Sequence, residues 1–164
     1  MKKVCFYLFV FAAICLFCLF SCSKTGNLYD IIISATANDE TLAQGKILNY
    51  GKIYQNNISD DTLSEYLGLK GYPEFKDKIE ELVVYSTLSG DYAELAAMKL
   101  YSSSDITDGK QYFERRIKST TRALNMSGQK GYSDSAYVKV YGNVVVLYMM
   151  QDNQRFENKI KKML

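Results

Sequence analysis

The sequence predicts an α+β fold: a two-layer domain with a mainly antiparallel sheet of about four strands, a ββαββα core with its helices on one face, preceded by N-terminal helices. Three observations carry that expectation. Two pairs of β-rich runs are joined by short links, Ser89-Gly90-Asp91 and Gly142-Asn143. Each pair is followed by apolar residues at helical spacing. With 48% hydrophobic and 23% charged residues, the composition is that of a chain able to bury a core. A length of 164 residues fits one domain, expected over residues 28–164.

Residues 1–21 read as a separate object. Lys2 and Lys3 open it, Val4 to Phe20 is uncharged and apolar, and small Ser21 precedes Cys22. That order is the pattern of an export signal. An uncleaved transmembrane anchor is the alternative, since the apolar run sits at the lower edge of a bilayer-spanning length. Leu19-Phe20-Ser21-Cys22 is similar to the bacterial lipoprotein lipobox, which implies cleavage between Ser21 and Cys22 and lipidation of Cys22. A thiol readily forms a thioether to a diacylglyceryl group, and a small preceding residue admits the peptidase. Two or three chains of the palmitate kind, at ~0.8 kcal/mol per buried methylene, hold far better than one myristoyl chain. The body would then lie outside the cytoplasm on the cell membrane or the outer membrane. Ser23, by resemblance to some two-membrane bacteria, lacks the aspartate that marks inner-membrane retention.

Cysteine use agrees with this reading. Of four cysteines, Cys5, Cys15 and Cys18 fall within the signal, so the exported body keeps only Cys22. No disulfide is expected in a compartment that would permit one. Losing Lys2 and Lys3 takes 20 basic against 18 acidic residues to 18 against 18. A neutral body without a long basic run gives no footprint for nucleic acid; Arg115-Arg116-Ile117-Lys118 reads as a solvated helix face.

Residues 22–27 form a polar tether. Leu28, Ile31, Ile32 and Ala35 share one helix face, closed by Asn38 to Glu40. Thr41 to Asn57, broken by Gly45 and Gly51, reads mostly as loop. Ser59, Asp60 or Asp61 caps a short helix carrying Leu63, Tyr66 and Leu67 and ended by Gly68. Gly71 to Pro73 is a turn, Glu74 to Lys78 a single helical turn, and Leu82 to Tyr85 a strand. Tyr92 to Tyr101 is ambiguous between helix and strand; the short link before it favours a strand. Ser104 or Asp105 caps a long amphipathic helix with Ile106, Phe113, Ile117, Thr120 and Leu124 on its buried face. Ser127 to Ser135 is a loop. Tyr137 to Tyr141 and Val144 to Met150 form a hairpin, the second strand apolar on both faces and so central. Asp152 caps a last helix that buries Phe156, Ile160 and Met163 or Leu164.

Several of these residues together carry a resemblance. An acidic residue opening the second strand with Glu94-Leu95-Ala96, a long helix with Arg115 and Arg122, the Gly131-Tyr132 loop and the Gly142-Asn143 hairpin leading into a Val-rich strand resemble the bacterial lipoprotein family of domain of unknown function 4358. The likeness covers about Leu28 to Ile160. It departs after Tyr132, where the family pattern implies a proline and the chain has Ser133 and Asp134. The resemblance implies lipid-anchored export and no assigned activity.

Composition narrows the chemistry. The chain has no histidine, and the body has no thiol beyond Cys22, so Ser-His and Cys-His pairs and the usual zinc sets are missing. No catalytic residue, metal site or cofactor is expected. The acidic pairs Asp60-Asp61, Glu80-Glu81 and Asp105/Asp108 read as caps or solvated groups. "DITDG" at Asp105 to Gly109 fails the calcium-loop spacing, with Ile106 and Arg115 in ligand positions. Of 14 tyrosines, all but Tyr7 lie beyond the signal, and there is no tryptophan. They read as half-buried sheet residues or as a recognition surface. Glu94, which needs a partner if buried, and Tyr132 are the candidate binding residues. The expected role is a non-catalytic binding or cell-envelope structural module, with the membrane and an unidentified protein or small ligand as partners. A carboxylate-based hydrolase is the alternative from another class.

Overall fold

A computed structural model describes residues 26–37, 39–40, 42, 44–69, 73–88 and 90–164. Ser21, Cys22 and most of the tether therefore lie outside the described residues. Helix α1 (Leu28–Thr36) is capped by Asn27, whose side chain accepts from Asp30 N–H at 2.8 Å. It is followed by β1 (Gly45–Gly51), helix α2 (Asp60–Leu67) and a 3-10 turn over Pro73–Lys78. Strands β2 (Ile79–Thr87) and β3 (Glu94–Leu100) lead to the long helix α3 (Ile106–Ser127). Strands β4 (Tyr137–Tyr141) and β5 (Val144–Met149) and helix α4 (Asn153–Lys161) complete the chain.

The α+β class and the antiparallel sheet stand as predicted, and Tyr92 to Tyr101 contributes strand β3. The sheet has five strands, in the order β1-β2-β3-β5-β4, with every neighbouring pair antiparallel. The unforeseen fifth strand is β1, inside the stretch read as loop. Its two glycines looked like breakers; they bound the strand instead. A Cβ on Gly45 would lie 2.1 Å from the Tyr85 ring, so the glycine is what lets that ring cross the edge strand. The chain leaves the strand at Gly51, where φ is +145°. As an edge strand, β1 is only part-covered, so no clean alternation marks it.

The layering also differs from the expectation. Helices α1 and α4 cover one face, packing Leu28, Ile32, Phe156 and Ile160 against Val83, Leu95, Val146 and Tyr148. Helices α2 and α3 cover the other, packing Leu63, Leu67, Tyr112 and Phe113 against Val84, Ala96, Met98 and Leu147. Three layers replace two, because β3 and β5 are apolar on both faces and each face must be removed from water. All six residues of β5 are buried, at about 1.5–3 kcal/mol for each large apolar side chain.

Connections follow from this. The β3–α3–β4 segment is a helical crossover that leaves one strand position open, and β5 fills it through the Gly142-Asn143 turn, with Gly142 at φ +59°. Asp105 holds the N-cap position of α3, one of the two expected, but its side chain makes no capping bond and pairs with Lys78 at 2.9 Å; Ser102 caps the 3-10 turn before it, accepting from Ser104 N–H. Asp152 caps α4 as predicted, accepting from Arg155 N–H at 3.0 Å.

Candidate functional site: a buried carboxylate beside an open groove

Residues of one strand alternate in direction, so Glu94, Ala96, Met98 and Leu100 share the face covered by α2 and α3. Glu94 is 0% exposed, at the end of that face. A bare carboxylate there would be prohibitive. Three side chains from three elements satisfy it. Arg116 of α3 donates from Nη2 at 2.8 Å and from Nε at 3.2 and 3.3 Å. Tyr66 of α2 donates to Oε1 at 2.7 Å, and the Tyr92 hydroxyl donates to Oε2. Arg116 Nη2 also donates to the Tyr92 oxygen at 2.9 Å, and its guanidinium lies 4.8 Å from the centre of the Tyr66 ring.

The electrostatics follow from burial. Desolvation, then the Glu94 charge, pushes the Tyr66 and Tyr92 phenols well above their ordinary value of 10.0, so both stay neutral donors. Loss of water opposes the Arg116 charge, but Glu94 outweighs it and holds the guanidinium protonated.

The second candidate binding residue, Tyr132, is half-buried and joins the same end of the sheet through Tyr92. Tyr92 N–H donates to Lys130 C=O at 2.9 Å, and Tyr132 N–H donates to Tyr92 C=O at 3.1 Å. The Tyr132 hydroxyl reaches Asp91 only at 3.5 Å. Glu94 and Tyr132 are thus neighbours of one residue without touching each other.

Beside this cluster runs an open groove of roughly 450 Å³, lined among others by Tyr92, Arg116, Ser119, Thr120 and Gln129. Arg116 Nη1 has no hydrogen-bond partner among the described residues, and neither has the buried hydroxyl of Thr120. These groups can receive a carbonyl or carboxylate oxygen. Of the tyrosines, only Tyr92 lines this groove, so it is not the deep tyrosine-lined pocket a tyrosine recognition surface would need.

The basic run on α3 needs correction. Arg115 and Lys118 are exposed as expected, but Arg116 is turned inward. Its position was available from the spacing: Tyr112, Arg116, Thr120 and Leu124 recur every four residues on the face that packs against the sheet. Tyr92, two residues before Glu94, falls on the same side of the chain. Nothing local pointed to Tyr66.

Apart from exposed Asp61, the acidic pairs are engaged. Asp60 pairs with Lys76, and Asp105 and Asp108 share Lys78 at 2.9 and 3.5 Å. Glu80 pairs with Lys99 at 2.8 Å, while buried Glu81 accepts from Leu28 N–H at 2.9 Å and from the Tyr54 hydroxyl at 3.0 Å. A further buried carboxylate, Asp39, binds Arg155 and Lys159 on the opposite face. Among the described residues no group of three or more potential ligands could hold a metal ion, and no helix is long and apolar enough to cross a membrane.

Comparison with protein-family models, curated proteins and solved structures finds no match. The resemblance to the family of domain of unknown function 4358 rests on the quoted residues alone.

Proposed function

We propose that the chain is a lipid-anchored extracytoplasmic bacterial lipoprotein, of the domain of unknown function 4358 kind, whose body is a non-catalytic binding or cell-envelope structural module. The observation that carries this is the leader: Lys2-Lys3, an apolar run, then Leu19-Phe20-Ser21-Cys22, with no other cysteine in the remaining chain. Lipidation accounts for a thiol that would otherwise be odd and exposed in an oxidising compartment. The non-catalytic part is supported by Asp60, Glu80, Asp105 and Asp108, which lysines engage, and by Glu94, whose bonds are all internal.

The test of anchoring is direct. In cells fed a clickable fatty acid, the native chain is expected to take up label and sediment with membranes, and Cys22→Ala to do neither. A processed Cys22→Ala protein that keeps label or stays membrane-bound sinks the proposal.

A second reading, a surface protein that binds a small ligand, is favoured by one observation: the Thr120 hydroxyl and Arg116 Nη1, without hydrogen-bond partners among the described residues, beside an open groove. A photo-crosslinker at exposed Ala123 separates the two. Capture of a discrete envelope protein supports the module, whereas protection of the site by a small molecule supports the ligand-binding reading.

A further inference from the structure

The sheet has two ends, and the chain enters at one of them. At that end the N–H of Leu28 is bound to Glu81 at the start of β2. Gly26, Asn27, the Gly142-Asn143 turn, Lys161 and Leu164 surround one groove there. The same end carries the loop after β1 and the residue after β3. Tyr54 of that loop donates to Glu81 and accepts from Tyr29 N–H at 3.2 Å, and Lys52 sits 5.7 Å from the centre of the Tyr101 ring.

Apolar exposure concentrates here. Ile53 is 57% exposed, Tyr101 51% and Tyr29 37%, three of the six large apolar side chains left in water among the described residues. Lys52 lies at the Tyr101 ring and Lys161 in the groove beside Asn27, and neither makes an ion pair among the described residues. Exposed aromatic and aliphatic side chains interleaved with lysines suit a lipid–water boundary, where the rings sit at headgroup level and the ammonium groups reach the phosphates.

We infer that this end of the domain, through Ile53, Tyr101, Tyr29 and Lys52, rests on the phospholipid headgroup layer in which Cys22 is anchored. The inference depends on the lipid-anchor reading. Cys22 precedes Gly26 by four residues, a span of at most ~14 Å when fully extended. Such a leash holds the end at the bilayer, and at the millimolar effective concentration of a short tether a weak surface contact suffices. The Glu94–Arg116 cluster and its groove lie at the other end of the sheet, where β3 begins and β5 finishes, and face away from the membrane. The anchor thereby orients the body.

The experiment uses the full, lipidated protein in phosphatidylcholine vesicles with or without brominated lipid. Cys22 is consumed by lipid, so one introduced cysteine at an exposed position carries a single fluorophore. Labels at Ile53→Cys and Tyr101→Cys are expected to lose fluorescence to brominated lipid, and labels at Leu88→Cys and Met126→Cys to keep theirs. Ile53→Asp in the chain labelled at 101 is expected to reduce the quenching while the protein still floats with vesicles. Flotation with equal quenching at all four sites, or with none at 53 and 101, overturns the docking and leaves anchoring intact. Failure to float overturns the anchor reading and the docking with it.

Discussion

Glu94 shows how one side chain can organise three elements. Its charge is fully removed from water and survives because a guanidinium and two phenols converge on it. Truncating one partner differs from removing the set. Arg116→Met leaves a buried carboxylate facing two phenols and is expected to cost ~3–5 kcal/mol. Glu94→Leu combined with Arg116→Met removes both charges and is expected to cost less than Arg116→Met alone. Urea unfolding of the single and double variants measures the coupling. Additive losses would mean that the pair contributes nothing specific. The same arithmetic explains why Arg116, read on sequence as solvated, is turned inward. Its partner is remote in sequence, and only the stem of an arginine looks apolar to a helical periodicity.

At the scale of the element, β1 shows a glycine acting through its neighbour. The Tyr85 ring occupies the space a Gly45 side chain would take, its closest atom 2.1 Å from where a Cβ would sit. Gly45→Ala must displace that ring or bend the edge strand, at an expected cost of about 1–3 kcal/mol for an overpacked site. Tyr85→Leu in the same chain is expected to restore part of the loss, read as the shift in urea midpoint. No loss in Gly45→Ala would show that the ring moves freely. Helix α3 makes the complementary point. Its boundaries and buried face were legible, because twenty-two residues of consistent period outweigh any single position. The capping bond was not, since Asp105 stands at the N-cap with its side chain on Lys78, a partner remote in sequence, and makes no bond to the helix.

For the whole molecule, burial of phenols ties stability to alkaline pH. Tyr66, Tyr92 and Tyr148 are pushed up from 10.0, in each case first by burial. The unfolded chain releases these protons near pH 10 while the folded chain keeps them. The folded state then binds more protons, so stability is level below about pH 10 and falls as pH rises above it. Phenolate absorbance followed with circular dichroism is expected to show a fraction of tyrosines ionising only as the fold is lost. Complete ionisation near pH 10 with an intact spectrum would contradict this. The same three-layer packing sets direction, placing the chain entry at one end of the sheet and the Glu94 cluster at the other.

Read alone, the sequence determined the α+β class, the two hairpin-linked strand pairs, the long helix and a leader with the pattern of a lipoprotein signal. These depend on short-range regularities: alternation, a 3.6-residue period, a capping residue, a tight turn. The tertiary structure decided the side of the sheet each helix takes, the use of residues 45–51 as a fifth strand, and the meeting of Tyr66, Tyr92 and Arg116 at Glu94. Local pattern shows that a face must be covered and leaves open by what. A part-covered edge strand lacks alternation, and a buried charge finds its partner across the fold, where sequence spacing no longer measures distance.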